Sequence, residues 1–222
     1  MERRKFIFGS YDTALNGPWT LAGWTLAAAA YRTHFVEVPG RDGDLDMSTA
    51  LTDGAPRYGS RNLTVTLERS DGTRLEREAA IDIMVNWLDV WRMDIRLPDD
   101  PTHHLTGRVH VVKNYNDQAH ASVTVTAVCD PWRYNDYETV IRATAGADPL
   151  EIRLTNSGRR TVVPVVEITG DGASLNLVYG AYSWALGAGT YQLPDIVVPQ
   201  GGGTVTCSGV GEVSFTYREA VL

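Results

Sequence analysis

The chain has 222 residues, with 27 acidic and 20 basic side chains and a formal net charge of −7. A hydrophobic content of 43% is ordinary for a globular protein, so intrinsic disorder is excluded. An acidic chain without a basic run also does not fit a sequence-reading nucleic-acid binder.

The 23 Val, 22 Thr and 8 Ile favour strands over helices. Two cysteines are too few to staple a small secreted scaffold, so the fold must rest on its own core. Arginine outnumbers lysine 18 to 2. That bias suits subunit interfaces, and genomic base composition explains it as well.

The charged start, Met1 to Lys5, is followed only by Phe6 to Phe8 before polar residues return. The next apolar run, Leu21 to Tyr31, is far short of the roughly 20 residues of a spanning helix. No signal peptide and no membrane insertion is therefore expected. A cytoplasm-like compartment follows, in which Cys129 and Cys207 stay reduced.

Lys5 to Phe8 reads as a short strand and Tyr31 to Val38 as another, ending at the turn signal Pro39-Gly40. Arg61 to Arg69 alternates, with Leu63, Val65 and Leu67 on one face, as a half-buried strand does. Asp71-Gly72 predicts a hairpin turn. From Glu76 to Trp91 the period changes. Ala80, Ile81, Met84, Val85, Leu88 and Trp91 follow helical spacing, so one amphipathic helix is expected. Trp87 and Trp91, four apart, are expected to pack on the sheet or on a neighbouring subunit.

Alternation returns from Arg92 to Leu97, and Pro98 to Pro101 reads as a turn. Gly107 to Lys113 and Ala121 to Cys129 are further strands. Asp130-Pro131 reads as their close, with Trp132 to Asp136 as a connector. Beyond Tyr137 come short runs at close spacing: Thr139–Ala143, Leu150–Asn156, Val162–Thr169, Leu175–Tyr179, Thr190–Leu193, Ile196–Val198, Thr204–Cys207 and Val213–Tyr217. Such a texture predicts a sandwich or jelly roll. Two domains are expected, 1–137 and 138–222, and neither carries a basic patch.

Signals for chemistry are weak. His103, His104, His110 and His120 cluster in sequence, but adjacent strand residues point to opposite faces, and no zinc-type spacing is present. Asp42, Asp44, Asp46 and Asp53 have part of a calcium-loop spacing. Met47, however, stands where that loop needs glycine, so a solvated turn is the better reading. No nucleophile elbow, phosphate loop or dinucleotide fingerprint occurs. No metal, no cofactor and no catalytic residue is expected. Tyr179, Tyr182, Trp184 and Tyr191 crowd the second domain. They read first as core, with sugar or partner contact as the alternative.

Several stretches together resemble the distal tail protein (Dit) of long-tailed, non-contractile siphovirus-type phages and prophages. These are Val36-Glu-Val-Pro-Gly-Arg-Asp-Gly-Asp-Leu-Asp46, Tyr58-Gly-Ser-Arg61, Pro98-Asp-Asp100 with Gly107-Arg108-Val-His-Val111, and Cys129-Asp-Pro-Trp-Arg-Tyr134. Asn156-Ser-Gly158, Thr161-Val-Val-Pro164 and the closing Gly209-to-Tyr217 run continue the order. The Ala-rich stretch Leu21 to Ala30 has no counterpart, and the length leaves no room for an inserted sugar-binding module.

The resemblance implies a mainly β protein. An N-terminal sandwich or barrel-like ring domain with one helix would precede a C-terminal jelly-roll or galectin-like sandwich. It further implies a structural, non-enzymatic homo-hexamer at the virion tail tip, assembled in the host cytoplasm. That ring would join the tail tube protein to the tail hub or tail-associated protein, dock a receptor-binding protein, and pass DNA through its lumen as cargo. Pro39, Gly40, Arg41, Asp42 and Gly43 are expected to form a defined turn at a ring contact. The rival expectation is a carbohydrate-binding or adhesion module built on the C-terminal sandwich, and a weaker one is a glycoside-processing enzyme.

Overall fold

The computed structural model describes residues 4–52 and 54–222. The chain divides into two compact units, Met1–Arg133 and Tyr134–Leu222. It is mainly β, with one helix among the described residues.

In the first unit the strands are β1 (Ile7–Phe8), β2 (Tyr11–Asp12), β3 (Thr20–Leu26), β4 (Phe35–Val36), β5 (Leu45–Asp46) and β6 (Arg61–Arg69). Helix α1 (Arg74–Leu88) follows, then β7 (Arg92–Arg96), β8 (His103–Asn116) and β9 (Ala121–Asn135), which carries the chain into the second unit. One sheet runs in the order β2-β1-β7-β8-β9-β6-β3. The alternation read from Arg61 to Arg69 is realised residue for residue. Leu63, Val65 and Leu67 are buried and pair with Ala127, Val125 and Val123.

Asp71-Gly72 does not close a hairpin. Thr73 follows as a helix N-cap: the Glu76 amide donates to its hydroxyl (3.2 Å) and the Thr73 amide donates to the Glu76 carboxylate (2.6 Å). This capping box satisfies two amides that a helix start leaves open, and so diverts the chain from strand to helix. Helix α1 buries Ala80, Ile81, Met84 and Leu88 in the core. Sequence spacing carries the apolar pattern on to Trp91, but the helix ends at Leu88 with Asp89 as its cap.

The expected strand Tyr31–Val38 shrinks to β4 plus an isolated Tyr31–Tyr58 bridge. The expected break at Asp130-Pro131 is absent, because β9 runs on to Asn135.

The second unit contains β10 (Thr139–Ala145), β11 (Leu150–Leu154), β12 (Val165–Tyr179), β13 (Tyr182–Gly187), β14 (Gly189–Gln192), β15 (Gly203–Tyr217) and β16 (Ala220–Val221). Two strands of 15 residues organise it. The second half of β15 pairs with β10 and with the first half of β12, which also pairs with β14. The first half of β15 pairs with β11 and with the second half of β12, which also pairs with β13. One continuous sheet thus supplies both layers of a sandwich.

The bend falls between the halves, where the β12–β15 register shifts between Thr169 and Ser174. Gly170, Gly172, Gly209 and Gly211 have φ of 126°, 67°, 120° and 140° there, angles open to glycine and strained for other residues. Val166, Ile168, Leu175, Leu177, Val205, Cys207, Val213 and Phe215 from both halves share one core.

Short runs separated by glycines in the sequence are therefore kinked halves of β12 and of β15. Strand β13 has no counterpart among the expected elements. Ile196–Val198 is held by a single Val162–Val198 bridge.

Candidate functional site

The first unit carries an arm. Beyond the Leu26–Leu63 pair the two chains continue outward as a ladder. The Ala27 amide donates to the Asn62 carbonyl, the Gly59 amide to Ala30, the Arg32 amide to Arg57, and β4 then pairs with β5. Among the described residues from Ala27 to Ser60, none is buried. Phe35 is 55% exposed and Leu51 98%, and Tyr31, Val36 and Met47 are exposed as well. A segment that buries nothing lacks the apolar gain that offsets the entropy of ordering it.

The tip of the arm is the turn expected from sequence. The Arg41 amide donates to the Val38 carbonyl at 3.2 Å across Pro39-Gly40, and Gly40 has φ of 80°. Proline at the second position and a positive-φ glycine at the third define a type II turn. Gly43 (φ 75°) bends the chain back toward β5. Pro39, Gly40, Arg41, Asp42 and Gly43 are all exposed. Asp46 accepts from the Ser48 amide at 2.9 Å, an ordinary turn contact. Asp53 lies outside the described residues.

A second exposed apolar surface lies on α1. Leu75 (80% exposed), Ala79, Ile83 and Trp87 recur every four residues on the outer face. Trp87 keeps an edge contact with the Tyr11 ring, 6.0 Å between centroids. Past the helix, Val90 is the one described non-glycine residue at positive φ, 64°. For a β-branched residue this is strained backbone, of order 1–3 kcal/mol.

Hydrogen bonds hold Val90 there. Its amide donates to the Val109 carbonyl at 2.8 Å, and the Arg108 guanidinium donates to its carbonyl at 2.6 Å. The preceding Asp89 carboxylate accepts from the Val111 amide (3.0 Å) and is 2.6 Å from His110 Nδ1. These contacts keep the Asp89 carboxyl below the usual range, the Val111 amide first among them and His110 after it against the opposing effect of burial. Val90 and Trp91, each 61% exposed, are thereby held out toward solvent.

Arg77 escaped the sequence reading. It lies four residues before Ile81 on the buried face and is 1% exposed. Its guanidinium donates to the carbonyls of Gly72 (2.7 Å) and Asp117 (2.8 Å), and also reaches Gln118. A buried charge is tolerable only when its donors are satisfied. Here the start of α1 is tied to the loop between β8 and β9.

The histidines that cluster in sequence each meet a different carboxylate. His103 meets Asp100 (2.9 Å), His110 meets Asp89, and His120 meets Asp117 (3.6 Å). No group of three or more His, Cys, Asp or Glu among the described residues is placed to hold a metal ion. Asp100 sits between His103 and Arg133, which is 2.9 Å away. Burial would raise its carboxyl, but bonds to His103 and Thr102 and the nearby positive charges hold it below the usual range. Cys129 and Cys207 are free and buried, and burial pushes the Cys129 thiol up to about 11.

In the second unit, Tyr179, Trp184 and Tyr191 pack against the core. The Tyr179 hydroxyl donates to the Val197 carbonyl and the Tyr191 hydroxyl to Gly187. Tyr182 is 53% exposed and stacks on Trp184 with centroids 5.9 Å apart and planes at 19°. The four aromatics therefore do not form one platform. Three support the sandwich and one faces outward. No helix among the described residues is long and apolar enough to cross a membrane.

A mainly β unit with one helix, followed by a sandwich made by one bent sheet, is a Dit-like fold. A solved structure that carries it is the Dit protein (gp 19.1) of phage SPP1, described as a paradigm of hub adsorption apparatus in Gram-positive infecting phages. The match has a TM-score of 0.70 and covers 98% of this chain and 99% of that one, at 13% sequence identity. No protein-family model and no curated protein matches the sequence.

Proposed function

We propose that this protein is a structural, non-catalytic part of a phage tail tip. It assembles as a homo-hexameric ring between the tail tube protein and the tail hub or tail-associated protein. The ring docks a receptor-binding protein and lets DNA pass through its lumen. It acts in the virion after assembly in the host cytoplasm.

The observation that carries this reading is the likeness to the SPP1 Dit protein along nearly the whole of both chains. An uncovered arm supports it, since an ordered segment with no buried residue needs a neighbour. The arm's type II turn at Pro39–Gly43 is the expected ring contact. The net charge of −7 supports it too, because a lumen that releases DNA must avoid multiple phosphate contacts.

Native mass tests the proposal. Light scattering and electron microscopy of the purified chain are expected to give a ring of about six subunits, a number taken from the family. A chain that stays monomeric at all concentrations overturns it.

Exposed Tyr182, stacked on Trp184, favours a second reading, a glycan contact on the sandwich. Glycan-array binding that disappears in Tyr182→Ala supports that reading, and an array with no binding removes it.

A further inference from the structure

Two uncovered apolar surfaces on one chain, the arm and the outer face of α1, call for an account of what covers each. We infer that they cover one another in trans: the arm of one protomer lies along the outer face of α1 of the next copy. This rests on the ring reading and names the contact that builds it.

The helix offers a ridge. Leu75, Ala79, Ile83 and Trp87 wind along the exposed side of α1 beside Glu76, Asp82 and Asn86, spanning about 18 Å at 1.5 Å per residue. Buried Ala80, Ile81, Met84 and Leu88 take the core side, and of the exposed row Trp87 keeps its edge contact with Tyr11 within the protomer while Leu75 and Ile83 stay 80% and 47% exposed. Past the helix end, Val90 and Trp91 are exposed as well, and the bonds at Asp89, Arg108 and Val109 hold that turn in place. A contact surface fixed before binding has little left to order.

The arm offers a match in chemistry. Phe35, Val36, Met47 and Leu51 supply apolar side chains from an extended hairpin. Its tip, Glu37 to Asp46, holds four carboxylates (Glu37, Asp42, Asp44 and Asp46) against one guanidinium, Arg41. At the Trp91 end of the ridge, Arg92 and Arg108 are cross-strand neighbours on β7 and β8, and both are exposed. Like charges placed opposite each other destabilise a strand pair. Arg92 is bridged to Asp130 at 2.7 Å, and Arg108, which donates to the neutral Val90 carbonyl, presents its positive charge where an acid-rich tip would arrive.

The occupant is therefore a second copy, seated with its tip toward Arg92 and Arg108. Because the arm and the ridge are different surfaces of one chain, the contact is head-to-tail, the kind that closes a ring or propagates.

The test mixes two variants, Val36→Cys and Ile83→Cys, under oxidation. Any disulfide between them joins different protomers, and the native cysteines are buried. The expected result is a cross-linked dimer across mixed subunits, within particles of ring mass. In parallel, Ile83→Asp and, on the arm, Phe35→Asp are each expected to weaken assembly at least about tenfold, the effect of losing one interface anchor. Both positions are exposed in the protomer, so the melting temperature of the dissociated chain should hold.

Rings that form without the cross-link, and that tolerate both Asp variants, overturn the inference and leave the ring reading standing. A wild-type chain that never assembles overturns both.

Discussion

The two units reach stability by different means. The second is held by apolar packing inside one bent sheet, and its decisive positions are glycines at which β12 and β15 turn. The first has an apolar core too, but polar groups tie its elements together. Arg77 joins α1 to the β8–β9 loop, Asp89 holds the end of α1 to β8, and Asp100 joins His103 to Arg133. Carboxyls held below their usual range follow the same division. Asp12, Asp46, Glu76, Glu78, Asp89, Asp100 and Asp117 lie in the first unit and Glu219 in the second. Glycine geometry marks the second unit, where Asn156 and Glu219 add a few polar ties, and side-chain chemistry fastens the first while leaving an arm and part of a helix face exposed.

The sharpest way to break this contrast is Gly209→Ala. A methyl group there would run into the Ser174 carbonyl, at a φ of 120°. Combined strain and overpacking should cost about 4 kcal/mol. Hydrogen exchange is expected to show protection lost in β12 and β15 and retained in β6 and β9.

Arg77→Ala makes the reciprocal test. Leaving the Gly72 and Asp117 carbonyls without a donor should cost about 3 kcal/mol, in the first unit alone, as read by denaturant unfolding. The capping-box change Thr73→Ala should cost about 1 kcal/mol by the same measurement.

Acid should separate the units without mutation. The Asp89 and Asp100 carboxyls titrate lower in the folded unit than in the unfolded chain. Their contribution is therefore complete above the unfolded range, near pH 4, and is lost as pH falls through the folded values. Between pH 6 and pH 3 the first unit should lose protection sooner. Five of the six tryptophans lie in it, so fluorescence follows it directly. Equal loss in both units would show that polar fastening is not what distinguishes them.

The smallest effect on stability is expected from Arg41→Ala, within about 0.5 kcal/mol for the dissociated chain, since the side chain is exposed. Ring assembly should nevertheless weaken. An unchanged oligomer in light scattering at equal concentration would remove the turn from the contact.

Local pattern and tertiary context divided the work in a way particular residues make plain. Leu63, Val65 and Leu67 announced β6 because alternation and partial burial act within nine residues. Val38, Pro39 and Gly40 announced their turn because proline and glycine restrict φ wherever they stand. Helix α1 was legible from its apolar period, although its start depended on a reciprocal bond between Thr73 and Glu76 that a strand-and-turn reading of Asp71-Gly72 passed over. Its buried Arg77 was hidden, because a charged residue at a core position makes sense only once the carbonyls around it are assembled.

The sequence by itself determined the β-rich class, the strand alternation, the helix and the turn at the arm's tip, since each follows from neighbours along the chain. Tertiary structure alone decided that the glycine-separated runs after Val165 form two bent strands, because pairing across the sheet outweighs local punctuation. It also decided that β9 passes through Pro131. Finally, it left the arm and the outer face of α1 bare, since a residue's exposure depends on what the rest of the chain brings against it.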